Sequence, residues 1–118
     1  MTGHPGAIIL IVYYALKRHK RTKTRFSPQE LFDWISSLRK EPHGRRVMQG
    51  LVDVFMKHHR KPFPSTLEEV GRLAAWLRLH VNGKPIFWFT EHAGQFQLKE
   101  EYLSRLDSYM LRLRKTDR

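Results

Sequence analysis

The stretch Ile86-Phe87-Trp88-Phe89-Thr90-Glu91-His92-Ala93-Gly94-Gln95-Phe96-Gln97-Leu98 decides the fold class of this 118-residue chain. Two short apolar runs, Ile86–Phe89 and Phe96–Leu98, flank the polar segment Thr90–Gln95. Aromatic runs bounded in this way read as two strands of a β-hairpin, with Gly94 free to take the positive φ that a tight turn needs. In a strand, 87 and 89 point one way and 86 and 88 the other, so one face packs on helices and the second is either open or buried.

Working outward, the period changes to that of helices. Upstream, Ser65-Thr66-Leu67-Glu68 has the spacing of a capping box. It opens a helix whose inner face takes Leu67, Val70, Leu73, Ala74 and Leu77, with Trp76 at the margin and an end near Asn82-Gly83. Downstream, Glu100–Lys115 carries Leu103, Leu106, Tyr109, Met110 and Leu113 on one face, and Arg112, Arg114 and Lys115 suit the negative end of its dipole. That helix would serve either as a homodimer seam or as a lid on its own core.

Further upstream, Ser27-Pro28-Gln29-Glu30 is a second capping box with proline at the first helical position. Leu31, Phe32, Trp34, Ile35 and Leu38 form its apolar face. Arg39-Lys40-Glu41-Pro42-His43-Gly44 is expected to end that helix and turn the chain, and Arg45-Arg46 to open the next. Its buried face takes Val47, Leu51, Val54, Phe55 and Met48, and Pro62-Phe63-Pro64 stops it after Lys57–Lys61. The run Ala7–Leu16 reads as a buried helix entered through Pro5. Ten apolar residues are too few to span a bilayer, which takes about 20. No cation precedes them as in a signal peptide.

The segments Ile11–Ile35 and Leu51–Leu77 read alike: apolar helix, basic tail, Phe26 or Phe63, then Ser27-x-x-Glu30 or Ser65-x-x-Glu68. A duplicated helix–loop–helix unit is one explanation, and chance in helical sequence is the other.

The composition fits one domain over residues 1–118, mainly α with a β-hairpin. Hydrophobic residues are 41% of the chain, enough for a core, so the high charge does not signal disorder. The absence of cysteine excludes disulfides, thiol nucleophiles and zinc–cysteine sites. The net charge is +11. Residues 1–61 hold 13 Lys and Arg against four acids, a balance of +9, and the remainder nine against seven, +2. A basic half on a folded domain points to a polyanion partner.

Helices, then a hairpin, then a helix, with the charge on the early helices, resembles the winged helix-turn-helix superfamily. The resemblance is one of architecture, about five helices and one two-stranded wing. It implies a helix in the major groove and a wing against backbone or minor groove. In the favoured placement, Ser27–Leu38 supports and Arg45–Met56 recognises. In the other, Thr66–His80 supplies both helices and leads straight into the wing, with fewer cations. Phosphate contacts are expected from Lys17, Arg18, Lys20, Arg21, Lys23 and Arg25, from Arg39 and Lys40, and from Lys57, Arg60 and Lys61. Arg45, Arg46 and Gln49 are the candidates for base edges, because Arg pairs with guanine and Gln with adenine. Lys84, His92 and Gln95 would be the wing contacts.

The expected function is therefore a non-enzymatic double-stranded-DNA-binding transcriptional regulator, in the cytoplasm or nucleoid, or in the nucleus of a eukaryote. The alternatives are an adaptor or inhibitor docking on an acidic surface of a larger complex, and an RNA-binding or ribosome-associated module that stacks bases on exposed Phe87, Trp88, Phe89 and Phe96. No cofactor, metal or membrane is expected. His58 and His59 are adjacent and diverge on a helix. His80, Asn82 and His92 lack the strand–helix context of an HNH nuclease. No glycine-rich phosphate loop or catalytic triad spacing occurs.

Overall fold

Every residue from Ala7 to Leu16 is buried, which places helix α1 (Ala7–Arg18) at the centre of the molecule. A helix rich in Ile and Val has modest intrinsic propensity, so packing on all sides is what holds it. Around it lie α2 (Pro28–Lys40), α3 (Pro42–His59) and α5 (Leu103–Thr116). Helix α4 (Val70–Asn82) packs on α2 and on a hairpin of β1 (Phe89–His92) and β2 (Gln95–Leu98). The computed structural model describes residues 6–82 and 87–116. Pro5 and Ile86, expected at an element start, lie outside the described residues. The chain is mainly helical with a two-stranded antiparallel sheet, as the sequence implies.

Helix α1 ends in a left-handed cap. The Arg21 N–H donates to the Leu16 carbonyl (2.8 Å) and the Lys20 N–H to that of Lys17 (3.2 Å). Lys20 adopts φ +56°, a conformation usually given to glycine. Phe26 follows, fully buried, and forms a single antiparallel bridge with Phe96. The Ser27 capping box then starts α2 as expected: Ser27 Oγ accepts from the Glu30 N–H, and Glu30 Oε1 accepts from the Ser27 N–H.

Four sequence expectations are corrected. The turn Arg39–Gly44 is instead a single residue, Glu41, at ψ 133°, and α3 already begins at Pro42. Proline forces its predecessor out of the helical region while fitting the first position of the next helix. The abrupt junction needs Gly44, because a Cβ there would lie 2.5 Å from the Leu38 carbonyl oxygen. Met48 and Leu51 carry the fully buried face of α3, with Val47, Val54 and Phe55 half-buried.

Second, Ser65–Leu67 is an isolated 3-10 turn and α4 starts only at Val70. The Ser65 hydroxyl does not cap a helix; it accepts from Arg72. This removes Thr66–His80 as a pair of α-helices, and the two segments that read alike in sequence differ in structure. Phe26 is a fully buried bridge residue, whereas Phe63 is half-exposed and packs edge-on to Phe55.

Third, the hairpin loop is shorter than its polar stretch suggests. Thr90, Glu91 and His92 belong to β1, and only Ala93 and Gly94, at φ +51° and +78°, form the turn. Two consecutive positive φ values fit the twist of a two-residue hairpin. The register is Phe89 opposite Leu98 through His92 opposite Gln95. Trp88 and Phe89 are both buried, against strict alternation, because Trp88 precedes the strand and packs edge-on to Tyr102.

Fourth, Glu100–Tyr102 is a 3-10 turn that leads into α5. The apolar face of α5 meets its own core: Leu106 is fully buried, and Leu103, Tyr109, Met110 and Leu113 pack beside it. Of that face only Leu106 is fully buried; Leu103, Tyr109, Met110 and Leu113 stay half-buried.

Candidate nucleic-acid interface

The basic block after α1 is partly neutralised by the fold. Lys17 pairs with Asp107 of α5 at 2.7 Å, and Tyr13 donates its hydroxyl to the same oxygen at 2.5 Å. Lys17, then Tyr13, hold the Asp107 carboxyl below its ordinary pKa. Burial first, then the bond to Asp107, pushes the Tyr13 hydroxyl up. Arg18 bridges to Glu41 at the α2–α3 junction (2.7 Å) and to Tyr14. Arg21 lies 3.5 Å from Glu30, donates to Thr24 and to the Arg25 carbonyl, and sits 4.9 Å above the Trp34 ring. His19 stacks on Trp34 as well, 5.3 Å between ring centres. Exposed ion pairs contribute about 0–1 kcal/mol, so these contacts shape the loop more than they stabilise the fold.

Lys20, Lys23 and Arg25 remain exposed, with no ion pair among the described residues. The loop runs beside the hairpin: the Gln97 amide donates to the Lys23 carbonyl (3.2 Å), and Phe26 bonds Phe96. His92 and Gln95 are exposed at the hairpin end, with the acid Glu91 next to them. Lys84 lies outside the described residues.

The second group sits at the α2–α3 junction. Lys40, Arg45 and Arg46 are exposed and without an ion pair among the described residues, while Arg39 donates to the Leu67 carbonyl at 3.3 Å. Because α3 begins at Pro42, Arg45 and Arg46 stand past its first three residues. Their conflict with the helix dipole, expected from a start at Arg45, is correspondingly weaker.

Arg45, Gln49, Asp53 and Lys57 follow at four-residue steps along the solvent side of α3, while Gly44, Met48 and Leu51 face the core. Lys57 stands ~18 Å from Arg45 along the axis at 1.5 Å per residue. Arg60, in the left-handed conformation, and Lys61 continue beyond it. The predicted cations therefore form a strip along α3 and a patch beside the hairpin, linked at the junction by Arg18–Glu41. The acids that partner Lys17 and Arg18, Asp107 and Glu41, lie far away in sequence and leave no local signal. The Gln49–Asp53 pair (2.8 Å) was legible from its i,i+4 spacing.

The hairpin aromatics Trp88, Phe89 and Phe96 are buried, and Phe87 is half-buried with Lys99 above it. They offer no open stacking platform. His59 stacks on Phe55 (4.4 Å), and His80 lies tilted against Trp76 (4.3 Å). Among the described residues, no three metal-ligating side chains cluster and no helix is long and apolar enough to cross a membrane. An apolar cleft between α3 and α5, about 90 Å³, is lined by Val47, Leu51, Val54, Met110 and Leu113. Small-molecule sites are typically ~300 Å³ or larger. Comparison of the chain with protein-family models, curated proteins and solved structures finds no significant match.

Proposed function

We propose that this protein binds double-stranded DNA without enzymatic activity, on a winged-helix-like plan, as a small transcriptional regulator. The observation that carries the reading is the α3 strip: Arg45, Arg46 and Lys57 lie on the exposed side of a helix whose other side is built into the core, with no acid paired to them among the described residues. Cations on a rigid element, free of protein partners, suit phosphate contact with counterion release. The hairpin, tied by the Phe26 bridge to the loop that carries the second group of cations, takes the role of the wing. Burial of the hairpin rings removes the feature that favoured base stacking on single-stranded RNA.

Titration of a labelled DNA duplex at several salt concentrations tests this. A linear fall of log K with log salt is expected, at a slope of about −0.9 per phosphate contacted. Absence of binding near 50 mM salt, the low end of the range over which such contacts are measured, removes the DNA reading and favours an acidic protein surface as partner.

A further inference from the structure

The centre of the α3 strip carries an acid. Between the cations at Arg45 and Lys57 stands Asp53, exposed and in no ion pair among the described residues, its Oδ1 accepting the Gln49 amide at 2.8 Å. A surface that only gripped phosphates would be weakened by a carboxylate there. The carboxylate does have a chemical consequence for Gln49. It accepts only, so the amide atom facing it is the nitrogen, and one of the two N–H groups of Gln49 is consumed. The remaining polar edge of Gln49 is one donor beside one acceptor.

In the major groove, adenine presents an acceptor, N7, beside a donor, the N6 amino group; guanine presents two acceptors, N7 and O6. A free glutamine can turn both N–H groups toward guanine. One held by Asp53 cannot, and its carbonyl would oppose O6. The groove is about 12 Å wide, and the strip from Arg45 to Lys57 is ~18 Å long at the helical rise. The two cations can therefore reach phosphates on opposite walls while Gln49 and Asp53 lie over the bases.

We infer that Asp53 is the positioning residue of a base-reading site, fixing Gln49 to select adenine over guanine at one base pair. This rests on the DNA-binding reading above. A second Gln–Asp pair, Gln29–Asp33 on α2 (2.9 Å), has the same spacing but carries Ser37 where α3 has Lys57, and serves as an internal control.

The test is selection from a duplex pool with a randomised centre, using the full chain. The wild type should enrich A·T at one position, with discrimination against G·C of about tenfold. Asp53→Ala should bind the unselected pool at least as tightly, having lost a negative charge, yet accept guanine at that position. Asp53→Glu should restore part of the preference, and Asp33→Ala should leave it intact. Unfolding would weaken binding to every duplex and not shift one base preference. If Asp53→Ala keeps the wild-type preference, or the wild type binds duplexes with no base preferred anywhere, the inference is overturned while DNA binding stands. If the wild type retains no duplex, both fall.

Discussion

Phe26 and Phe96 exchange both backbone hydrogen bonds, 2.8 and 2.7 Å, although α2, α3 and α4 lie between them in sequence. Phe96 thereby turns its N–H and carbonyl away from β1, so its pairing with Glu91 is of the non-hydrogen-bonded kind. The bridge fixes the exit of the basic loop against the second strand of the hairpin. Loop and hairpin are thus joined through backbone hydrogen bonds at this one point.

Phe26→Ala should uncouple them. The ring is fully buried, 6.0 Å from Phe89, 6.2 Å from Trp34 and 6.4 Å from Phe96. Its removal should cost about 3–5 kcal/mol in a urea titration. Phe26→Leu, which keeps most of the buried area, should cost less. Amide exchange at Phe96 should accelerate more than at Leu31 in α2.

Gly44→Ala and Gly71→Ala should have opposite signs. The first drives a Cβ against the Leu38 backbone, which cannot yield without shifting the α2–α3 junction. Overpacking of this kind costs about 1–3 kcal/mol. The second meets nothing within 4 Å near the start of α4 and should stabilise by up to ~1 kcal/mol. Thermal melts of the two variants suffice. Equal shifts would show that the junction is looser than its geometry implies.

The same junction shows the limit of sequence reasoning. The Ser27 box and the Gly94 turn were legible because the chemistry is local. Pro42 was not, since proline both stops one helix and starts another, and only the approach of Gly44 to Leu38 decides which. Ser65-x-x-Glu68 has the letters of a cap, but its hydroxyl is taken by Arg72, seven residues on. At the candidate site the cations were legible from composition. Which of them are neutralised was not, because Asp107 and Glu41 reach Lys17 and Arg18 from distant sequence.

Ala93→Asn should tighten the hairpin. Ala93 holds φ +51° in the two-residue turn, a region that costs a residue with a Cβ about 1–2 kcal/mol and that Asn tolerates better. Asn-Gly is the preferred pair for such turns. A rise in melting temperature is expected, with base preference unchanged; a fall would contradict the turn geometry.

The Tyr13–Asp107–Lys17 contact predicts two pH limbs. Asp107 is depressed in the folded state, so its contribution is present above the ordinary carboxylate range and is lost as pH falls through about 4 and below. Tyr13 is raised above 10.0, so its contribution is present below that value and is lost as pH rises past it. Asp107→Asn should flatten the acid limb of a stability–pH curve and weaken the alkaline one. Tyr13→Phe should flatten the alkaline limb and leave most of the acid limb, because Lys17 is the larger cause of the Asp107 shift.

The division of cations into paired and free yields the sharpest test of the interface. If all six of Lys17, Arg18, Lys20, Arg21, Lys23 and Arg25 touched phosphate, each alanine variant would reduce the salt slope by about one. The ion pairs predict a split. Lys20→Ala, Lys23→Ala and Arg25→Ala should each lower the slope by about one with little change in melting temperature, as should Arg45→Ala and Arg46→Ala on α3. Lys17→Ala and Arg21→Ala should change the slope less, because Asp107 and Glu30 already compensate those charges. Arg21→Ala should in addition lower stability, since its guanidinium ties Thr24, the Arg25 carbonyl and the Trp34 ring into one loop conformation. The measurement is a set of duplex titrations across a salt series, with a melt for each variant. Equal slope changes at Lys17 and Lys23 would mean that the Lys17–Asp107 pair opens on DNA, and the patch would then extend from the loop onto the start of α5.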